Sequence, residues 1–287
     1  PGVDAHVVVR RYGLRPQFPE EVLSEAAGIP DVLSAGAIEG RRDFRDWPSV
    51  TIDGEKAQDF DDAVSIRRLP AGGWLLGVHI ADVSHYVRPA SPLDREAFER
   101  STSVYFPDLT LPMLPEKLSN DLCSLRPRER RLTVSALMDI GDDGRVRRTE
   151  FAPSIIRTAH RMTYTSVFKI FEGDTAEAKA YADVVPDLLL MRELARVLRK
   201  RRLAEGSLDF DLVEPELIYE EGKLLAVAAA GRNEAHRLIE EFMVTANVAV
   251  ATAFSEKKIP AIYRVHPPPD VGDLGKLRDL ILNFGLT

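Results

Sequence analysis

The alternation of apolar and polar positions changes character at Val50. Before it the chain reads as irregular with one short helix, in which Pro19 suits the first turn and Glu20 and Glu21 favour its positive end. Pro30 and the charged run Arg41–Asp46 break up the remainder of this first stretch. After it, 63–69 and 74–83 are apolar-rich runs joined by Pro70-Ala71-Gly72-Gly73, which predicts a hairpin. Ser91-Pro92 predicts an N-cap and first helical position for a helix to about Arg100.

The segment 103–131 carries Pro107, Pro112, Pro115 and Pro127, a long turn-rich stretch of the kind usually kept for function. A second hairpin is predicted from 132–140 and 145–153 around Gly141-Asp142-Asp143-Gly144. Helices come next at 163–171 and 186–204, then a strand pair at 208–219 and 223–229. A long helix from Asn233 to about Lys257 carries Leu238, Phe242, Thr245 and Ala249 on one stripe. Pro260 and Pro267-Pro268-Pro269 end it, and a last helix starts near Asp270. Strand pairs interspersed with helices predict an α+β fold, a mixed sheet with packed helices, rather than a doubly wound one.

With 45% hydrophobic residues in 287, the chain can bury a sizeable core. Cys123 is the only cysteine, which excludes an internal disulfide, disfavours a thiolate zinc site and fits a reducing, cytoplasmic setting. The most apolar stretch, Leu224 to Ala230, is too short to span a bilayer, so no membrane association is expected. A net charge of −7 weighs against duplex binding, but less against an enzyme that threads one strand past bound metal ions.

The candidate chemistry lies in TIDGEKAQDFDDA, residues 51–63, where Asp53, Glu55, Asp59, Asp61 and Asp62 crowd together. Short carboxylates this close repel one another unless a cation offsets the charge, and an oxygen-only set suits magnesium or manganese. A calcium loop started at Asp59 would put Val64 at the glycine position and Pro70 at the bidentate glutamate, so that reading fails. A solvated acidic turn is the plain alternative. On extended chain Asp59 and Asp61 share one face, while Asp62 needs a bulge or a strand start to join them. A hairpin turning near Gly72 would set Asp62 opposite Asp82 and His85 near Asp59, making Asp82 a candidate supporting residue. The basic run Arg196 to Arg202 reads as a solvated helix face or a phosphate track.

TIDGEKAQDFDDA, then HIADVSHYV, TSVYFP, LPMLPEKLSNDLCSL and NEAHRLIEEFMVTANVAVA, in that order, resemble the RNB catalytic domain of the ribonuclease II and ribonuclease R family. The resemblance runs from about Phe18 to the end. It implies residues 1–40 as the tail of a cold-shock domain with a linker, and 41–287 as the N-terminal and central part of the RNB domain. It implies a hydrolytic 3′-to-5′ exoribonuclease that degrades single-stranded RNA to nucleoside 5′-monophosphates. Asp53, Asp59, Asp61 and Asp62 match the family's magnesium-binding aspartates, Asp61 the one on which the chemistry most depends.

By the same resemblance Tyr105 packs on the terminal nucleotide, and Phe210, in SLDF, clamps the base stack from the other side. Glu240 takes part in sugar recognition and Tyr164 helps set product length. The family's later arginine-bearing motif has no counterpart, since no TSPIRRY-like segment is present. The chain is therefore expected to be a C-terminally incomplete domain that needs its missing part as a partner. The alternatives are a catalytically impaired RNA-binding fragment and a metal-dependent phosphodiesterase on another nucleic acid.

Overall fold

The computed structural model describes residues 3–106, 109–208, 215–220, 223–229, 231–265 and 267–286. Among them, residues up to Ala249 belong to one compact unit, and 250–287 to a second that holds the end of one long helix and a terminal helix. The strands are β1 (Arg42–Asp43), β2 (Val50–Asp53), β3 (Asp62–Arg68), β4 (Trp74–Ala81), β5 (Val104–Tyr105), β6 (Thr110–Leu111), β7 (Arg130–Ile140), β8 (Val146–Arg157), β9 (His160–Thr163), β10 (Pro215–Glu220) and β11 (Lys223–Ala229). The helices are α1 (Val3–Arg11), α2 (Glu20–Gly28), α3 (Ala35–Ile38), α4 (Val83–Tyr86), α5 (Pro92–Arg100), α6 (Tyr164–Phe171), α7 (Thr175–Ala180), α8 (Val185–Ala204), α9 (Glu234–Glu256) and α10 (Val271–Asn283). Three short helices therefore occupy the first fifty residues where one was expected, and Pro19 is the N-cap of α2 rather than a residue of its first turn.

Seven strands form a mixed sheet in the order β1-β8-β7-β4-β3-β2-β9, parallel at β1/β8 and β2/β9 and antiparallel elsewhere. The expected α+β class holds. Strand periodicity divides the core into two layers, because alternate side chains leave opposite faces. Val64 and Ile66 on β3, Leu76 and Val78 on β4, and Met138 and Ile140 on β7 pack with α6, α8 and α9 on one face. Ala63, Ala81 and Leu137 lie in the other layer with α2, α5 and the segment around Leu118–Leu125. By length and hydropathy α9 could itself cross a membrane, but its stripe Ala235, Leu238, Phe242, Ala246 and Ala249 is buried in the first layer.

The β3–β4 register is offset by two positions from the expected one, so Asp62 sits opposite Ile80, not Asp82. Gly72 and Gly73 explain this, since both take positive φ (87° and 82°) and tighten the turn beside the β7–β8 loop. A Cβ on Gly73 would stand 2.2 Å from the Ile140 carbonyl oxygen. Asp82 is turned to Arg41 (2.6 Å) and accepts from the Ser84 hydroxyl (2.7 Å), with His85 nearby. Neither Asp82 nor His85 joins the acidic segment as the expected register had placed them.

A polar chain crosses the buried sheet. His79 bonds Ser65 (2.9 Å) and Ser135 (2.6 Å), and Ser135 bonds Ser154 (2.6 Å), which bonds Thr133. Burial pushes the His79 imidazole from 6.5 down to about 4. A base whose folded value is depressed stabilises the fold above 6.5 and loses that contribution as pH falls toward about 4. The expected result is an imidazole resonance, assigned by its loss in His79→Gln, that keeps its neutral chemical shift down to about pH 5. A midpoint near the ordinary histidine value would contradict the sealed network.

Candidate active site

The acidic segment is a loop braced from beneath. Phe60 lies between Asp59 and Asp61, and its ring is buried with Cys123 and Leu125. Ser124 is fully buried, accepts from the Phe60 amide (3.1 Å) and donates to the Gln58 carbonyl (2.8 Å). The Leu125 amide donates to the Phe60 carbonyl (2.8 Å), and the Ala81 amide to that of Asp61 (2.9 Å). These bonds explain the long proline-rich segment: its tail is the clasp that shapes the acidic loop. Ser124→Ala would orphan buried backbone groups, and a loss of about 1–3 kcal/mol is expected as a lowered denaturant midpoint. An unchanged midpoint would show that the clasp is not structural.

Asp53 ends β2, and Asp62 opens β3, the strand start that the sequence required for it. Asp62 is in phase with Val64 and Ile66, the layer of α6 and α9, whereas Asp61 lies near Cys123 and Asp59 is bonded by Tyr105. The four carboxylates gather at this end of the sheet. Burial, then the charge of Asp62, raises Asp53 from 3.8 to about 7, against a pull from Arg161. Burial and then Asp61 raise Asp62 to about 6. Asp61 is open to solvent as a residue, yet crowding around its carboxyl and then Asp59 raise it as well.

Tyr105 donates its hydroxyl to Asp59 Oδ2 (2.6 Å) while the residue is 63% exposed, a platform rather than a core residue. Tyr164 follows β9 directly and stacks on His236 of α9 (3.9 Å between centroids, 18° between planes). Burial, then the charges of Asp53 and Asp62, push its phenol up to about 12, which places it at the carboxylates. Glu240 lies one turn beyond His236 on α9 and is ion-paired with Arg232 and, at 3.8 Å, with Arg202. Among the described residues no bond ties it to the aspartates. Phe210 lies outside the described residues.

Three residues at the site carry no mark in the sequence. Arg161 on β9 donates to the Gly54 and Glu55 carbonyls, lies over the Phe60 ring (5.3 Å) and places a positive charge beside Asp53. His236 and Ser124 are the others. Ser124 and His236 fall inside motifs already singled out, NDLCSL and NEAHRLIEE, and Arg161 lies three residues before Tyr164, but nothing in their local spacing distinguishes them. In the basic run Arg196 and Lys200 are exposed, and three of its arginines are paired, Arg196 with Glu234 (2.6 Å), Arg201 with Glu205 (2.8 Å) and Arg202 with buried Glu241 (2.6 Å).

Asp53 Oδ2 is buried without a hydrogen-bond partner, a state that is costly for a carboxylate unless a cation meets it. Oxygen-only donors suit a hard divalent ion such as magnesium or manganese. Among the described residues the carboxylates do not close into a ready three-ligand group as they stand, and Asp59 is instead turned to Tyr105. Donor chemistry and the orphaned oxygen nevertheless fit a metal ion.

Fold and site together define an α+β protein with a carboxylate cluster at the end of a mixed sheet, flanked by an exposed tyrosine. The chain matches the RNB domain family over residues 41–286 and belongs to it. It is 44% identical to ribonuclease R 1 of Lactococcus lactis, over 99% of this chain and 35% of that protein. It is 42% identical to ribonuclease R of Aquifex aeolicus, over 97% of this chain and 40% of that protein. It thus spans little more than a third of these relatives. Mycoplasma genitalium RNase R, solved in complex with ribose-methylated single-stranded RNA, superposes with a TM-score of 0.91 at 28% identity, covering 99% of this chain and 44% of that one. Yeast Ssd1, a pseudonuclease, shares the fold (TM-score 0.70, 23% identity, 88% of this chain and 31% of that one), so the fold by itself does not carry the chemistry.

Proposed function

We propose that this chain bears the catalytic carboxylates of a 3′-to-5′ exoribonuclease that degrades single-stranded RNA hydrolytically to nucleoside 5′-monophosphates, with magnesium or manganese bound. The observation that carries the reading is the gathering of Asp53, Asp59, Asp61 and Asp62 at one sheet end, with Asp53 Oδ2 buried and unpaired. The similarity to proteins named ribonuclease R, and to one solved with single-stranded RNA, supports the substrate class.

In the reaction, water adds to the terminal phosphorus and the bond to the 3′ oxygen of the preceding nucleotide breaks. That oxygen gains a proton, and the phosphate stays on the released nucleotide. Asp53, Asp59, Asp61 and Asp62 would hold the metal, which lowers the pKa of water and offsets charge on the attacking and leaving oxygens. The chain's own groups do the rest. Exposed Tyr105 offers a stacking face, worth ~1–3 kcal/mol per base and indifferent to base identity. Its hydroxyl meanwhile orients Asp59. Arg161 pins the Gly54–Glu55 turn and counters the charge on Asp53. Glu240 stands as the proposed sugar-reading residue and Tyr164 as the proposed setter of product length.

The test is a time course on 5′-labelled single-stranded RNA, with and without magnesium, beside DNA of the same sequence. A magnesium-dependent ladder that shortens from the 3′ end of RNA alone is expected. Binding of RNA without cleavage would make the chain an RNA-binding module that needs the rest of the domain. Equal cleavage of DNA would replace the reading with a general phosphodiesterase.

A further inference from the structure

A second concavity lies at the other end of β2 and β9 from the carboxylates. Val50 pairs with His160 and Asp53 with Thr163, so these ends are about 10 Å apart at the usual rise of a strand. The cavity measures about 520 Å³, within the range of small-ligand sites, and Arg128, Arg157, Arg45 and Trp47 are among its walls. We propose that it binds a phosphate-bearing nucleotide unit, with Arg128 and Arg157 on the phosphate and Trp47 beside the base.

The arginines are distributed unevenly. Arg15, Arg41, Arg100 and Arg131 are committed to carboxylates elsewhere, and Arg45 on this wall is held by Asp43 (2.9 Å). Arg128 and Arg157 are exposed, and among the described residues their side chains make no hydrogen bond or ion pair. Two acids share the wall, Asp46 and Asp183, but Asp183 is engaged by His160 (2.8 Å). Asp183 also meets the charge of Arg128, and beside these acids Arg128 and Arg157 present exposed guanidinium groups, whose planar donors match phosphate oxygens.

The backbone supports the same reading. Arg128 has φ of 66°, a left-handed conformation that favours glycine, not a long side chain. It is locked there because its amide donates to the Thr158 carbonyl (2.7 Å), while the buried Thr158 hydroxyl donates to the Leu125 and Arg126 carbonyls (3.1 Å each). Backbone strain held by buried bonds concentrates at ligand sites. Trp47 is packed by Phe44 (4.7 Å) and by Arg67 over its ring (3.8 Å), which fixes the indole in the wall. The inference goes beyond the proposed hydrolysis and does not depend on it.

Trp47 also supplies the readout. The only other tryptophan, Trp74, is 2% exposed and would give a constant background. In an Asp61→Asn chain, kept from hydrolysing its ligand, tryptophan emission would be titrated with adenosine 5′-monophosphate, with a short oligoadenylate and with adenosine. Saturable quenching by the monophosphate would identify a free-nucleotide site, and quenching by the oligonucleotide alone a strand site. Either supports the proposal if Arg128→Ala/Arg157→Ala weakens it by ~10-fold or more and Trp47→Phe abolishes it. Quenching unchanged in the double variant, equal quenching by adenosine, or none with any ligand would overturn it. Cleavage of RNA by the parent chain is read separately, so failure here and failure of the hydrolytic reading are distinct.

Discussion

Asp61→Asn is expected to leave the fold and RNA binding in place while slowing hydrolysis by ~10³-fold or more, the scale of losing a group that stabilises charge in phosphoryl transfer. The side chains are nearly isosteric, and the backbone carbonyl of Asp61 keeps its bond from the Ala81 amide. Removing one of four crowded charges relieves repulsion on Asp62, which Asp61 raises, so the variant should be no less stable than its parent. Single-turnover decay of the full-length RNA band, with binding measured in parallel, would check it. A rate within tenfold of the parent would remove Asp61 from the chemistry. A matching loss of binding would recast it as an RNA contact.

Magnesium is expected to raise the melting temperature by about 5 °C at about pH 8 and hardly at all at about pH 5. The carboxyls set the sign. Asp53 and Asp62 have folded values of about 7 and about 6 against an ordinary 3.8. A raised carboxyl stabilises the fold below 3.8 and loses that contribution as pH rises through about 6 to 7. The metal-free chain is thus strained by its own charges at high pH, where a cation finds ionised ligands, whereas at low pH protons compete for the same oxygens. Saturation at ~100 times the dissociation constant contributes about 2.7 kcal/mol, or about 5 °C for a chain of this length. Asp61→Asn should shrink the shift. Equal shifts at both pH values would locate the cation elsewhere.

The hydrophobic pattern and five short motifs disclosed much of this protein before any coordinate. The α+β class, both hairpins of the main sheet, the cap at Ser91, the last helix starting near Asp270 and the long helix after Asn233 all rest on local chemistry, which neighbouring residues express by themselves. The acidic segment was legible for the same reason: charge crowding within a few residues is written in the order of the chain. What tertiary structure decided concerns partners far apart in sequence. The register at Asp62 turned on a glycine meeting the Ile140 carbonyl, and Asp82 was claimed by Arg41. Arg196 and Arg202 of the basic run were paired with glutamates of α9. Arg161 met Asp53, Ser124 clasped the backbone of the acidic loop and His236 stacked on Tyr164, each from another element. Each outcome depends on two surfaces meeting across the core, where burial sets the cost of an unpaired charge, and no local spacing encodes that meeting.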